Sequence, residues 1–195
     1  MWSNIGARGP ILKKIILVRH GQTDWNRENR IQGELDIPLN ERGKREAKEI
    51  ALRLAHTVID HIYSSRLSRA YETAIEIAEL HKLKVLTDPR LDELGQGKWE
   101  GMRVSEVRRL YPDFYSKWEK DPTSVTPPEG KSVREVFKKV KEFWAENILP
   151  GKGTAVIVAH KVINALIKSI LEEGNSLDML WEKLPENAQI ERFSL

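Results

Sequence analysis

The sequence contains no cysteine. That excludes disulfides and thiolate metal sites, and it suits a reducing compartment such as the cytoplasm. No apolar run approaches the ~20 residues that span a bilayer, and the opening "MWSNIGARGP" has no apolar core of the kind a secretion signal carries. The expectation is therefore a cytoplasmic protein with no membrane partner. Charge of a single sign is missing too. The 32 Lys and Arg are interspersed with 29 Asp and Glu, for a net charge of +3, and no basic stripe stands out. A mixed, solvated surface follows, with no nucleic-acid partner, despite a pI near 9.0. There is no internal repeat and no second composition regime. One domain over residues 1–195 is expected, long enough to bury a real core.

What is present is an alternation of strand and helix signals, the mark of an α/β fold with a mostly parallel sheet. Ile15–Val18 reads as a buried strand. Ala47, Ile50, Ala51 and Leu54 recur at helical spacing, behind Asn40 as a cap. Ile59–Tyr63 reads as a second strand, Leu67–Leu80 as a helix with Ala70, Ala74, Ile77 and Ala78 inward, and Lys84–Thr87 as a third strand stopped by Asp88-Pro89. From about 90 to 131 the pattern is irregular, with one short helix near Val104–Leu110. A segment of that length inside a compact domain predicts a substrate-covering wall or lid. Ser132–Asn147 reads as helix, "TAVIVAH" as a fourth strand, Val162–Leu171 as helix, and Ala188–Phe193 as an edge strand.

Two of these strands, "IILVRH" and "AVIVAH", end in histidine. Parallel strands place their carboxyl ends on one edge, where open α/β sheets bind ligands at the point of strand-order reversal. If the two strands are neighbours, His20 and His160 share a crevice with Arg19. Such a set suits a phosphate dianion: arginine presents a planar, permanently charged fork, and neutral imidazole is a nitrogen nucleophile. Zinc fits less well, because no H-E-x-x-H spacing occurs and Arg19 would repel the ion. His56, His61 and His81 lie near element ends without a partner and read as structural. Trp99, Trp118, Trp144 and Trp181 read as packing residues, Trp25 as a pocket wall, and Gly33 as a turn residue.

Several blocks taken together resemble the histidine phosphatase superfamily, in its phosphoglycerate-mutase-like branch: "VRHGQTDWN", "GELDIPLNERGKREA", "YSSRLSRAYETA", "LDELGQGKWEG" and "VIVAH", in that order. The resemblance implies a three-layer α/β/α sandwich around a mostly parallel, doubly wound sheet with one antiparallel edge strand. It implies that His20 is the nucleophile that becomes phosphohistidine, that Arg19 and Arg69 grip the phosphoryl oxygens, that His160 completes the pocket and that Glu93 is the general acid. Asn26, Gly21, Thr23, Gln32 and Lys161 are the expected phosphate- or substrate-binding residues around them. Asp92 and Glu100, next to the acid, read as structural. No metal and no cofactor are implied. The partner is a small phosphorylated metabolite, with a homodimer as the assembly left open.

The resemblance covers phosphatases and mutases alike. The mutases carry a tryptophan followed by two arginines that grip a substrate carboxylate, whereas this chain reads Trp118-Glu119-Lys120. The phosphatases carry a proline-glycine-glutamate-serine run, where this chain has Pro128-Glu129-Gly130-Lys131-Ser132. Lys161 replaces a common small residue after His160, facing either substrate or solvent. The expected activity is metal-independent hydrolysis of small phosphomonoesters. A phosphoglycerate mutase and a catalytically silent binding relative are the alternatives.

Overall fold

The computed structural model describes residues 14–172, 177 and 180–195; the N-terminal stretch discussed above lies outside them. In chain order the regular elements are β1 (Lys14–Arg19), α1 (Asp24–Arg27), α2 (Glu41–Leu54), β2 (His61–Ser64), α3 (Ser68–His81) and β3 (Val85–Thr87), followed by α4 (Val104–Leu110), α5 (Pro112–Lys120), α6 (Val133–Phe143), β4 (Thr154–Ala159), α7 (Lys161–Leu171) and β5 (Ile190–Ser194). The strands form one sheet in the order β3-β2-β4-β1-β5. All pairings are parallel except that of β5 with β1.

Strand pleating sorts the core into two clusters. Ile15 and Leu17 of β1 face α6 and α7, together with Ala155 and Ile157 of β4. Ile16 and Val18, with Val156 and Val158, face α2 and α3 instead. Every second residue thus feeds the opposite layer. The result is the expected three-layer sandwich with an antiparallel edge. Helix α2 buries Ala47, Ile50, Ala51 and Leu54, and Asn40 caps it by accepting from the Gly43 N–H at 2.8 Å. Helix α3 buries Ala70, Ala74, Ile77 and Ala78.

Boundaries differ from the sequence reading where tertiary pairing, not local pattern, sets them. The second strand begins at His61, since only His61–Ser64 find partners on β4. Helix α6 ends at Phe143, and the chain then makes a single π-helical turn over Trp144–Ile148, in which the Leu149 N–H donates to the Trp144 carbonyl. The largest departure lies between 90 and 131, where α5 follows α4 directly. Pro112 opens α5 at a position where a missing N–H costs nothing. Its Tyr115 and Trp118 pack edge-on against Trp99, at 5.6 and 5.7 Å between ring centroids.

The connection after β1 leads to the α2/α3 layer, and the connection after β4 leads to α7 in the other layer. The two central neighbours therefore diverge, leaving a crevice beyond their carboxyl ends. This is the topological switch point of an open α/β sheet.

Candidate active site

His20 and His160 each follow the last residue of one of these strands, and their rings lie 5.1 Å apart at 60°. The His20 N–H donates to the Ala159 carbonyl at 3.1 Å, continuing the ladder one step past the strands. His20 is 3% exposed and its Nδ1 is 2.7 Å from the Gly21 carbonyl. A carbonyl can only accept, so Nδ1 carries the proton and Nε2 keeps its lone pair. Burial, with the cations of Arg19 and Arg69 close by, holds the His20 pKa well below the ordinary imidazole value. The ring is neutral at pH 7, with its lone pair on Nε2. His160 is fully buried behind it and is held neutral by burial, Arg69, His20 and Arg19.

The two arginines are aimed by backbone carbonyls. Arg19 Nη1 donates to the Pro185 carbonyl at 2.8 Å. Arg69, in the first turn of α3, donates from Nη1 to Leu35 at 2.7 Å and from Nη2 to Gly33 at 2.8 Å. Gly33 has φ of +52°, and a Cβ there would lie 2.0 Å from Glu100 Oε1, so the turn that presents this carbonyl requires glycine. Both arginines are nearly buried, yet Arg19 Nε and Arg69 Nε have no protein partner. Buried guanidinium N–H groups are seldom left unpaired. Two such cationic donors beside one cavity suit an anion.

Glu93 approaches from the loop after β3. Its Oε1 accepts from the Leu94 N–H at 2.9 Å and its Oε2 from the Val162 N–H, in the first turn of α7, at 3.4 Å. Burial raises its pKa above the usual carboxylate value, against the opposing pull of these N–H groups, Arg69 and Arg19. Asp92 next to it has a structural task. It accepts from Ser65 Oγ and Arg66 N–H, each at 2.8 Å, and from the Arg66 guanidinium, tying the Glu93 loop to the turn before α3. Glu100 likewise accepts from the Glu34 and Gln96 N–H groups.

A cavity of about 560 Å³ opens over this floor. Arg19, His20, Asn26, Gln32, Arg69, Glu93 and Lys161 line it, so most of the residues expected from the sequence meet there. Trp25 forms part of the wall as expected, and Trp118 and Trp181, expected only to pack, reach the wall as well. Gly21 and Thr23, expected to contact phosphate, are not in the lining, and neither is His160, expected to complete the pocket, which is fully buried beside His20. A Cβ on Gly21 would sit 2.4 Å from the Gly43 carbonyl, so this glycine permits α2 to pack against the strand end while its own carbonyl holds His20. Thr23 caps α1: its Oγ1 accepts from the Asn26 N–H, and its single proton goes to one of Asn26 Oδ1 and Gln32 Oε1, each 3.1 Å away. Both residues position neighbours that do reach the cavity. Lys161, whose direction was open, faces the cavity.

Residues 185–187 were absent from the expected site. The Pro185 carbonyl takes Arg19, and Asn187 Nδ2 donates to the His20 carbonyl at 3.3 Å and to Asn26 Oδ1 at 3.2 Å. The available signal was β5 itself. A strand antiparallel to β1 must begin at the edge where β1 ends, which brings the residues before it to the site.

A switch point that gathers a neutral imidazole, two guanidinium groups and a half-buried carboxyl around one cavity defines an enzyme of phosphoryl chemistry. The histidine phosphatase superfamily (branch 1) matches residues 15–195, and the chain belongs to that family, a phosphatase/phosphoglycerate-mutase-like hydrolase. Phosphoserine phosphatase 1 of Hydrogenobacter thermophilus is 40% identical over 177 residues, 90% of this chain and 83% of that protein. Phosphoglycerate mutase-like protein 4 of Arabidopsis thaliana is 43% identical over 174 residues, 88% of this chain and 75% of that one. Among solved structures, a mycobacterial glucosyl-3-phosphoglycerate phosphatase in complex with VO3 superposes with a TM-score of 0.81 at 31% identity, covering 92% of this chain and 91% of that one. No helix among the described residues is long and apolar enough to cross a membrane.

Proposed function

We propose that the protein hydrolyses small phosphomonoesters without a metal, through a phosphohistidine on His20. The observation that carries this reading is the orientation of His20, whose protonated Nδ1 is fixed on the Gly21 carbonyl, in a cavity it shares with Arg19 and Arg69. Phosphoryl transfer passes through a loose transition state with charge on the equatorial oxygens, so a preorganised cationic cradle supplies much of the catalysis. Nε2 of His20 forms the new P–N bond as the ester P–O bond breaks, and Glu93 gives its proton to the departing oxygen. Water then attacks the phosphohistidine. Glu93, now a carboxylate, takes the water's proton, and inorganic phosphate leaves with Glu93 again protonated. The names of phosphatases among the relatives support hydrolysis. So does Glu119, which lines the cavity where the mutases would present an arginine, and which is held there by Arg108 at 2.6 Å. The elements between 90 and 131 supply Gln96, Tyr115, Trp118 and Glu119 to the wall, consistent with a substrate-covering role.

Hydrolysis of p-nitrophenyl phosphate is the direct test. It is expected to proceed at an unchanged rate in excess EDTA, because Arg19 and Arg69 provide the positive charge that a divalent ion supplies elsewhere. A loss restored by Mg²⁺ or Zn²⁺ would overturn the metal-free mechanism.

The pH profile follows from the two shifted groups. The first step needs His20 neutral and Glu93 protonated. Activity falls as pH drops through the lowered His20 pKa, and it falls again as pH rises through the raised Glu93 pKa. The optimum therefore lies between these two limbs. Glu93→Gln cannot lose a proton and is expected to lack the alkaline limb, while the substrate's own titration stays common to both enzymes. An unchanged alkaline limb in the variant would assign that limb to another group.

A further inference from the structure

The cavity holds more charge than a phosphoryl group can use. Seven charged side chains line it. Arg30 is tied to Glu28 at 2.7 Å and to the Gly101 carbonyl at 2.8 Å, and Glu119 to Arg108 at 2.6 Å. Arg19, Arg69 and Glu93 form the floor. Lys161 and Glu186 remain, and neither side chain has a hydrogen-bond or ion-pair partner among the described residues, although both face the cavity.

Their positions are fixed by the phosphoryl site. Lys161 directly follows His160 and opens α7, whose next N–H holds Glu93. Glu186 lies between Pro185, which accepts from Arg19, and Asn187, which donates to the His20 carbonyl. Its own N–H is taken by Gln189 Oε1 at 2.7 Å, closing a tight turn. The two side chains are near enough to influence one another. Burial and the cation of Arg19 lower the proton affinity of Lys161, and Glu186, with Glu93, opposes them.

The charge balance indicates what they meet. A phosphomonoester dianion is matched by Arg19 and Arg69, with Glu93 protonated. One cation and one anion then remain on the rim. A neutral leaving group gives them nothing, and a purely anionic one satisfies Lys161 but is repelled by Glu186. Resting on the phosphatase reading above, we propose that Lys161 and Glu186 are specificity-determining residues that select a leaving group carrying both a carboxylate and an ammonium, the first bound by Lys161 and the second by Glu186. The bound complex is then electrically paired throughout, and charge-assisted hydrogen bonds discriminate strongly against analogues that lack one partner.

Four phosphomonoesters of similar size separate the contributions: O-phosphoserine has both charges, 3-phosphoglycerate only the carboxylate, phosphoethanolamine only the ammonium, and glycerol 3-phosphate neither. In the wild type, kcat/KM for phosphoserine is expected to exceed that for glycerol 3-phosphate by about 10-fold or more. Lys161→Met should collapse the ratio of phosphoserine to phosphoethanolamine toward one, while Glu186→Gln should collapse the ratio of phosphoserine to 3-phosphoglycerate. The two substitutions touch different ratios, which a general loss of structure would not reproduce. Flat wild-type ratios, or ratios that neither variant changes, would overturn the inference while p-nitrophenyl phosphate hydrolysis leaves the phosphatase reading standing. Failure of the wild type to release phosphate from p-nitrophenyl phosphate would overturn both.

Discussion

Replacing His20 with alanine is expected to lower kcat for every phosphomonoester by roughly 10⁴-fold or more, because it removes the atom that forms the P–N bond and not merely a contact that assists it. Arg19, Arg69 and Glu93 remain in place, so binding of inorganic phosphate should persist even as turnover disappears. The imidazole is 3% exposed and is held by a single hydrogen bond, to the carbonyl of its own neighbour. Its loss leaves a small void lined by charged groups that water can fill, so the folded state should survive, as circular dichroism would verify. The wild type mixed with substrate and quenched without acid should contain a phosphate adduct that is stable to alkali and labile to acid, and the variant should contain none. Near-native turnover by His20→Ala would refute the covalent mechanism.

Glu93→Gln has the second largest expected effect, and it depends on the leaving group. A general acid contributes about 10²–10⁴-fold, or roughly 3–5 kcal/mol of barrier. Alkyl esters such as phosphoserine expel an alkoxide that needs the proton and should lose this factor. p-Nitrophenyl phosphate expels a stabilised phenolate and should lose far less in the first step. Because Glu93 also serves as base toward water, the second step slows for both substrates. Burst kinetics separates the two half-reactions, with p-nitrophenol released rapidly and phosphate slowly in the variant. An equal loss for both esters in the burst phase itself would remove Glu93 from the role of acid. With 3-phosphoglycerate the same assays distinguish hydrolysis from isomer exchange: phosphate is the expected product, and efficient formation of 2-phosphoglycerate without phosphate would make the enzyme a mutase acting through the same histidine.

Much of this molecule was legible before folding. Short, β-branched apolar runs such as Ile15–Val18 and "TAVIVA" favour buried strands, and the alanine and isoleucine spacing in α2 and α3 defines one inward face on each helix, because side-chain periodicity is a property of the local backbone. The pairing of the two strand-end histidines was inferred from pattern alone, and β1 and β4 are indeed parallel neighbours. Helix α5 was not legible. Its apolar positions, Tyr115 and Trp118, are satisfied by Trp99 and Trp181 far away in the sequence, with Trp118 and Trp181 in edge contact at 5.4 Å. Within its own window, four of the nine residues are charged and the aromatic positions show no partner.

The site divides along the same line. The sequence by itself determined the chemical inventory: imidazole, guanidinium and carboxyl groups at strand ends and loop starts, where an α/β sheet exposes ligand-binding groups. Tertiary structure decided what each group does. The Gly21 carbonyl selects the tautomer of His20, the Gly33 and Leu35 carbonyls orient Arg69, and the turn before β5 brings Glu186 and Asn187 to a site that the sequence confines to other segments. Local periodicity determines which face a residue occupies, but hydrogen-bond partners across long separations exist only after the sheet has closed, and those partners set protonation state and aim.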